Sequence, residues 1–170
     1  VAVLVLGTAV IGAPASAATL PPGTVSLEAS NYAGRFVRHL DSLARLDPVT
    51  SSGATQLKLD ATFTVVNGLA SPACYSFQTK SGLFLRHRDY RLRVDANTGD
   101  ATFRGDATFC AVDGSVAGSV SLVSFNYPDR RIRHRDFALW LDAVGSVADS
   151  SFRLVAPWAP GLVVGVLLVS

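Results

Sequence analysis

The sequence predicts an all-β protein, a β-trefoil of three repeats of about 47 residues with four strands each. Two motifs recur in the same order three times. The first ends in arginine–histidine and places His39, His87 and His134 at intervals of 48 and 47 residues. The second is an aspartate-led tetrad at residues 60–63, 106–109 and 149–152. A fixed period of this length is typical of repeat architectures, and three such β units close compactly as a six-stranded barrel capped by three hairpins.

The strands of each repeat are predicted in one order, within units 24–68, 69–114 and 115–158. An apolar run opens each unit, the histidine strand follows, a strand with alternating polarity comes third, and the phenylalanine of each tetrad starts the fourth. The 14 glycines and 8 prolines recur at turn spacing, and no stretch between them keeps a 3.6-residue period. We therefore expect little or no helix. A β-sandwich is the competing fold, but it does not require equivalent motifs at this spacing.

The two ends of the chain differ from its body. Residues 1–17 read as a secretory signal peptide without its basic start, with an apolar run and small residues before a cleavage position after Ala17. Residues 18–23 are expected to be a linker, and residues 24–158 the β-trefoil. The apolar tail 159–170 is too short to span a bilayer, so it is either a closing strand or a remnant. We expect a secreted monomer with no membrane association.

The only two cysteines, Cys74 and Cys110, are separated by 36 residues. An exported chain folds in an oxidising environment, where such a pair predicts a structural disulfide. Two cysteines are too few for a structural zinc site, and no cysteine–histidine signature indicates a catalytic thiol.

The net charge is only +2, although thirteen of the fifteen basic residues are arginines and many flank the histidine motifs. Arginine rows on strands 86–93 and 130–135 leave open a polyanion-binding function. The interleaved aspartates count against it, and we expect no nucleic-acid partner. A zinc site formed by the three histidines at the threefold axis is a further alternative, opposed by the adjacent arginines. We expect no cofactor and no metal.

The repeated motifs resemble the arabinose-binding module of α-L-arabinofuranosidase B, carbohydrate-binding module family 42. The resemblance rests on Asn31-Tyr32 and Asn126-Tyr127, each followed by an arginine–histidine pair, and on the aspartate tetrads. It covers residues 24–158. It implies a β-trefoil that binds arabinofuranosyl side chains of arabinoxylan or arabinan in shallow pockets, one per repeat, without catalysis of its own. It also implies a glycoside hydrolase catalytic domain as a partner.

In that family a histidine and the tetrad aspartate hydrogen-bond the sugar hydroxyls. The resemblance therefore implies three ligand-binding pairs in this chain: His39 with Asp60, His87 with Asp106, and His134 with Asp149. The third tetrad reads Asp-Ser-Ser-Phe and follows its histidine after only 15 residues, so it departs most from the pattern. Relatives often have an aromatic residue directly after the histidine, where this chain has Leu40, Arg88 and Arg135.

These residue types suit a furanose ring, which offers vicinal hydroxyls and little flat apolar surface. An ionised aspartate accepts two hydroxyl hydrogens, and a neutral histidine donates at one nitrogen and accepts at the other. The alternative for each aspartate is a structural role in a turn. We expect the tetrad phenylalanines to lie in the core. We expect Arg38, Arg86 and Arg133 to hold turns or to pair with acids such as Asp41, Asp89 and Asp136, and not to contact the sugar.

An enzymatic function is the other alternative. A glycosidase needs two carboxyl groups beside the scissile bond, and each predicted pair supplies one. No G-x-S-x-G nucleophile motif is present, since residues 114–118 have a different spacing. If the gene product is itself an arabinofuranosidase, we expect its catalytic part to lie outside these residues.

Overall fold

The computed structural model describes residues 16–143 and 145–161. Twelve β-strands dominate this part of the chain, together with two helices, α1 (Thr55–Asp60) and α2 (Ala101–Asp106), and a 3₁₀ turn at Ala148–Ser150. The strands are β1 (Gly23–Ala29), β2 (Arg35–Leu40), β3 (Leu43–Pro48), β4 (Phe63–Asn67), β5 (Tyr75–Thr79), β6 (Phe84–Arg88), β7 (Arg91–Asp95), β8 (Phe109–Asp113), β9 (Val120–Ser124), β10 (Arg130–Arg135), β11 (Ala138–Ala143) and β12 (Phe152–Val155).

Six of the strands form a closed barrel. Strand β1 pairs with β4, and the antiparallel pairing continues through β5, β8, β9 and β12 back to β1. The three remaining pairs, β2–β3, β6–β7 and β10–β11, are hairpins whose second strands contact one another in a triangle. This arrangement confirms the predicted β-trefoil with four strands per repeat, and it places the three histidine strands in equivalent positions.

The barrel core is built from residues that recur at the repeat period. Phe63, Phe109 and Phe152 open the fourth strand of each repeat and are at most 1% exposed, as predicted. They join Leu27, Phe77, Leu122 and other buried apolar residues in one cluster. Burial alternates along the strands, as expected when only one face of each strand packs inward. The threefold core therefore fixes three equivalent surroundings for the site residues.

A repeated serine bond holds the segment that carries each aspartate. Ser26 donates to the carbonyl of Ala61 at 2.7 Å, Ser76 to that of Ala107 at 2.6 Å, and Ser121 to that of Ser150 at 2.9 Å. These carbonyls lie directly after Asp60, Asp106 and Asp149. All three serines are almost fully buried, so the bonds are shielded from water. The barrel thereby positions each site aspartate through its own backbone.

The threefold symmetry is broken at the axis by Arg91. Its guanidinium donates to the carbonyls of Ala44 and Leu139 at 2.6 and 2.5 Å, and to that of Leu92 at 3.0 Å. These three residues are the cross-strand partners of the three histidines, so they occupy equivalent positions. One side chain from the second repeat thus satisfies three symmetry-related acceptors.

Two short helices precede the fourth strands of the first two repeats. Each has six residues and ends at a site aspartate, Asp60 in α1 and Asp106 in α2. The side chain of Asp100 accepts a hydrogen bond from the Phe103 amide and caps the start of α2. The expectation of little helix holds, but these helices were not predicted individually, because six residues are too few to display a 3.6-residue period.

Part of the chain before β1 does not follow the predicted domain boundaries. Residues 16–18 pair with β8, and Leu20, within the predicted linker, is buried in the core cluster. Residues 1–15 and 162–170 lie outside the described residues, so most of the predicted signal peptide and of the apolar tail does too. Cleavage after Ala17 stays a prediction. Among the residues that are described, no helix has the length and apolar character needed to cross a bilayer.

The predicted disulfide between Cys74 and Cys110 is present, with the two Cα atoms 4.4 Å apart. It joins β8 to the residue before β5, two neighbouring barrel strands. We expect replacement of both cysteines by serine to lower the free energy of unfolding by roughly 3–4 kcal/mol, because the crosslink restricts a long loop in the unfolded chain. Urea unfolding of the wild type and the double variant measures this difference. A reducing agent should destabilise the wild type alone; equal stability of both proteins would contradict the prediction.

Candidate functional site

The structure brings each predicted histidine–aspartate pair together. His39 Nε2 lies 3.7 Å from an Asp60 oxygen, and the same atom of His87 lies 3.4 Å from Asp106. His134 Nε2 lies 3.7 Å from Asp149. We call the surroundings of these pairs the first, second and third pockets. In the described residues no cluster of three or more metal-binding side chains occurs, and the histidines occupy separate pockets.

The arginine before each histidine binds the same aspartate. Arg38 Nη2 lies 3.2 Å from Asp60 Oδ2, Arg133 Nη2 lies 3.1 Å from Asp149 Oδ2, and Arg86 contacts Asp106 in the same way. These arginines do pair with acids, as expected, but their partners are the tetrad aspartates and not the suggested Asp41, Asp89 and Asp136. Those three acids instead begin the two-residue hairpin turns, where the backbone has positive φ values. Each arginine thus holds one carboxylate oxygen and leaves the other facing the histidine.

An asparagine from the following repeat completes the second pocket. Asn126 donates through Nδ2 to Asp106 Oδ1 at 2.8 Å, and its Oδ1 lies 2.9 Å from His87 Nε2. A carboxylate only accepts hydrogen bonds, so the amide nitrogen must face Asp106 and the amide oxygen must face His87. The His87 Nε2 atom therefore carries the proton. The hydroxyl of Ser124 also donates to Asn126 Oδ1, at 2.9 Å.

The third pocket repeats this network with an asparagine from the first repeat. Asn31 Nδ2 donates to Asp149 Oδ1 at 2.9 Å, and its Oδ1 lies 2.9 Å from His134 Nε2. The short interval before Asp149 does not disturb the geometry, because a 3₁₀ turn takes the place of the helix in the other repeats. Each repeat thus carries one histidine–aspartate pair, and the second and third pockets also receive an asparagine from a neighbouring repeat.

The second pocket is walled by aromatic side chains. The ring of Tyr127 meets His87 edge-on with centroids 5.4 Å apart, and Tyr90 packs on Tyr127 at 5.6 Å. The Arg130 guanidinium lies over the Tyr90 ring at 4.1 Å, a distance typical of cation–π contacts. The pocket has a volume of about 360 Å³. It combines one polar wall with one aromatic wall.

Equivalent residues wall the third pocket. Tyr32 meets His134 edge-on at 5.3 Å and Phe137 at 5.8 Å, and the Arg35 guanidinium lies 4.2 Å from the Phe137 ring centre. Tyr90 and Phe137 stand three residues after the site histidines, not directly after them. The aromatic residue that seemed to be missing is therefore supplied by the second residue of the hairpin turn.

The first pocket lacks these additions. Its neighbouring turn, residues 80–83, is one residue shorter than turns 30–34 and 125–129, and it carries Lys80 and Ser81 where they carry the asparagine–tyrosine pair. Gln56 of α1 donates to Asp60 Oδ1 at 2.7 Å and occupies the role of the asparagine amide. Leu59 lines this pocket too, and among the described residues no tyrosine, phenylalanine or tryptophan does. The three pockets therefore fall into two complete ones and one reduced one.

Burial lowers the pKa of His39, His87 and His134 below the ordinary value of 6.5. The adjacent aspartate acts in the opposite direction in each pocket, but removal of the imidazole from water has the larger effect. The histidines are therefore neutral at pH 7. A neutral imidazole with its proton on Nε2 leaves Nδ1 as a hydrogen-bond acceptor.

These lowered pKa values predict a pH-dependent stability. A histidine that stays neutral in the folded chain takes up a proton in the unfolded chain below its ordinary pKa of 6.5, so protons favour unfolding there. We expect the free energy of unfolding to be lower at about pH 5.5 than at about pH 7.5. Urea unfolding at both pH values measures it, with His87→Gln as the control that should show a smaller difference. Greater stability of the wild type at the acidic pH would contradict this expectation.

Half of the arginines in the rows of the polyanion alternative pair with acids. Arg93 lies 2.8 Å from Asp95, Arg135 lies 3.3 Å from Asp142, and Arg45 lies 2.8 Å from Asp47. Of the eight arginines in the two rows, four pair with acids, namely Arg86, Arg93, Arg133 and Arg135. These ion pairs reduce the positive charge that the rows offer to a polyanion.

The asparagines are the functional residues whose role sequence reasoning missed. Asn31 and Asn126 each stand eight residues before a histidine, and this regular spacing was visible in the sequence. From the sequence, the asparagines were used only as part of the family resemblance, and no contact was assigned to them. The structure places each of them against the histidine of the preceding repeat around the axis, a contact that no sequence period reveals.

Comparison with known proteins agrees with this geometry. The profile of the family described as "Alpha-L-arabinofuranosidase B (ABFB) domain" matches residues 25–159. An alpha-L-arabinofuranosidase of Hypocrea jecorina is 39% identical over 115 residues, which is 66% of this chain and 23% of that protein. Alpha-L-arabinofuranosidase B of Emericella nidulans is 38% identical over 133 residues, 73% of this chain and 26% of that protein. The chain thus spans about a quarter of the length of these relatives.

Solved structures lead to the same family. An arabinofuranosidase in complex with arabinofuranosyl-α-1,2-xylobiose has a TM-score of 0.77 and 31% identity, over 85% of this chain and 33% of that one. ThreeFoil, a designed threefold-symmetric protein, has a TM-score of 0.60 at 14% identity over 78% of this chain and 98% of its own, and so shares the fold alone. Since the family profile spans most of the residues that form the barrel and its pockets, this chain belongs to the alpha-L-arabinofuranosidase B domain family.

Proposed function

We propose that this chain is a non-catalytic binding module for arabinofuranosyl side chains of plant polysaccharides such as arabinoxylan or arabinan. The observation that carries the proposal is the twofold occurrence of one network, in which histidine, aspartate and asparagine converge beside a tyrosine. Such a network presents fixed donors and acceptors to vicinal hydroxyls, and the aromatic wall excludes water from one side of the ring.

Two pockets on one rigid body suit a branched polymer. Each pocket is shallow, so the affinity for one side chain should be modest. A polymer that reaches the second and third pockets together gains avidity of roughly a hundredfold or more. The first pocket, without the asparagine–tyrosine pair, should contribute little. The module then serves to keep an attached or associated glycoside hydrolase domain near its substrate.

Affinity electrophoresis tests the proposal. The purified chain should be retarded by arabinoxylan and not by debranched xylan, because only the former carries arabinofuranosyl groups. Equal retardation by both polymers would contradict the assignment. A chromogenic arabinofuranoside tests the enzymatic alternative in the same preparation, and turnover by this chain would refute a purely binding role.

We further infer that the protein is exported. The disulfide supports this proposal, because structural disulfides persist in oxidising compartments. The substrate class also lies outside the cell. Expression of the gene with its full leader, followed by N-terminal sequencing of protein from the medium, tests export and the cleavage position after Ala17. Retention inside the cells would contradict it.

A further inference from the structure

We propose that a groove beside the second pocket binds the backbone sugar that carries the arabinofuranosyl group, with Phe125 as its stacking surface. This inference rests on the proposed function and extends it from the side chain to the parent polymer. The groove has a volume of about 590 Å³, larger than the second pocket itself, and its lining includes Leu69, Ala70, Arg104 and Phe125. No part of the histidine–aspartate network requires these four residues.

The groove and the second pocket adjoin each other. Thr102 lines both of them, and Asn126, which bonds His87 and Asp106, lines the groove as well. An arabinofuranosyl side chain is joined to its polymer by a single glycosidic bond. A side chain held by the histidine and aspartate therefore brings its parent sugar to the immediate edge of the pocket, which is where the groove begins.

Phe125 is exposed on a fixed backbone. Its side chain is 42% exposed, although large apolar side chains are normally buried. Its amide donates to the Thr108 carbonyl at 3.0 Å, and the neighbouring Ser124 hydroxyl bonds both Asn126 and the Tyr127 amide. A ring carried on a backbone held in this way needs only its side-chain torsions to be fixed when a ligand packs on it, which limits the entropy lost on binding.

The chemistry of the groove fits a pyranose better than a furanose. A pyranose chair presents a flat face of C–H groups, which packs on an aromatic ring, and equatorial hydroxyls around its edge. Arg104 is exposed on α2 and offers guanidinium donors to such hydroxyls, and Thr102 offers a hydroxyl. A pyranosyl backbone bearing arabinofuranosyl groups, as in substituted xylan, is therefore the ligand that we assign to this groove.

The third pocket has no counterpart of this surface. Ser30 stands directly before Asn31, in the position that Phe125 holds before Asn126. The two complete pockets therefore have similar contacts to the side chain but different contacts to the backbone. The groove makes the second pocket the one that distinguishes a substituted xylan from an arabinan.

Calorimetric titrations test the inference. All proteins carry Asp149→Asn, which disables the third pocket, and Phe125→Ala is compared with this background protein. The ligands are methyl α-L-arabinofuranoside, a xylo-oligosaccharide with one arabinofuranosyl group, and an arabino-oligosaccharide. We expect Phe125→Ala to weaken binding of the substituted xylo-oligosaccharide about fivefold to tenfold, the effect of removing one aromatic contact, and to leave the other two ligands unchanged. Phe125→Trp should retain binding. The exposed Val116→Ala is the matched control and should change none of the affinities.

The outcomes separate the inference from the proposed function. Unchanged binding of all three ligands by Phe125→Ala would overturn the groove and leave the arabinofuranosyl pockets intact. Equal weakening for all three ligands would also overturn it, because Phe125 would then act through the pocket. If neither the background protein nor the wild type binds any of the three ligands, the proposed function is refuted, and the groove with it.

Discussion

Replacing Asp106 and Asp149 together by asparagine is expected to abolish retardation by arabinoxylan, whereas Asp60→Asn should leave it nearly unchanged. Asp106 and Asp149 each face a histidine and an asparagine, and each supplies the charged acceptor of a complete pocket. A hydrogen bond to a charged group contributes about 1.5–3 kcal/mol, so each single replacement should lower affinity at its own pocket roughly tenfold or more. Loss of both also removes the avidity of the pair.

The replacements of Asp60, Asp106 and Asp149 by asparagine form a matched set. Each replaces the same residue type at an equivalent position, and each leaves the arginine with a second acid nearby, Asp95 for Arg86 at 3.8 Å and Asp142 for Arg133 at 3.9 Å. Thermal unfolding of all variants controls for loss of fold. The single variants Asp106→Asn and Asp149→Asn should each retain weak binding. A double variant that binds like the wild type, or an Asp60→Asn variant that loses all binding, would contradict the assignment of the two pockets.

Replacement of Phe109 by alanine is expected to lower the free energy of unfolding by about 3–5 kcal/mol. This side chain is fully buried at the start of β8 and packs on Phe77 with ring centroids 6.5 Å apart. Its removal leaves a cavity in a barrel whose rigid strands cannot collapse around it. Small domains have a total free energy of unfolding of about 5–15 kcal/mol, so this single change removes a large part of the stability.

Urea unfolding measures the effect, and two further variants make the result interpretable. Phe109→Leu keeps most of the volume and should cost less than half as much as the alanine variant. Phe125→Ala removes the same side chain from an exposed position and should change stability by less than about 0.5 kcal/mol. A Phe109→Ala protein as stable as the wild type would mean that this residue does not belong to a packed barrel core.

Some features of the structure follow from recurring positions in the sequence. The period of the histidines and the tetrads specifies three repeats, and the buried phenylalanines follow from it, because equivalent positions of a symmetric barrel share one environment. The disulfide could be predicted for a different reason, because only one pairing of two cysteines is possible. Each histidine–aspartate pair also lies within one repeat, so the repeated order of the two motifs was enough to predict the pairing.

Features without a repeat were not accessible to the same reasoning. Arg91 reaches the threefold axis from one repeat only, and no sequence pattern distinguishes it from Arg88 or Arg93. The short helices carry no period of their own. The pairing of Arg38 with Asp60 does recur in every repeat, but it crosses 22 residues and acids much closer in sequence, such as Asp41, were equally plausible partners.

The sequence by itself determined the β-trefoil, the disulfide and the histidine and aspartate of each pair, because each is a local or periodic property of the chain. Only the tertiary structure decided which asparagine and tyrosine complete each pocket, and that the first pocket lacks both. Closure of the barrel brings the turn of one repeat against the histidine strand of the preceding one, and Asn31 meets His134 across 103 residues. Contacts of that kind depend on how the three repeats pack around their axis, a geometry that local residue patterns do not encode.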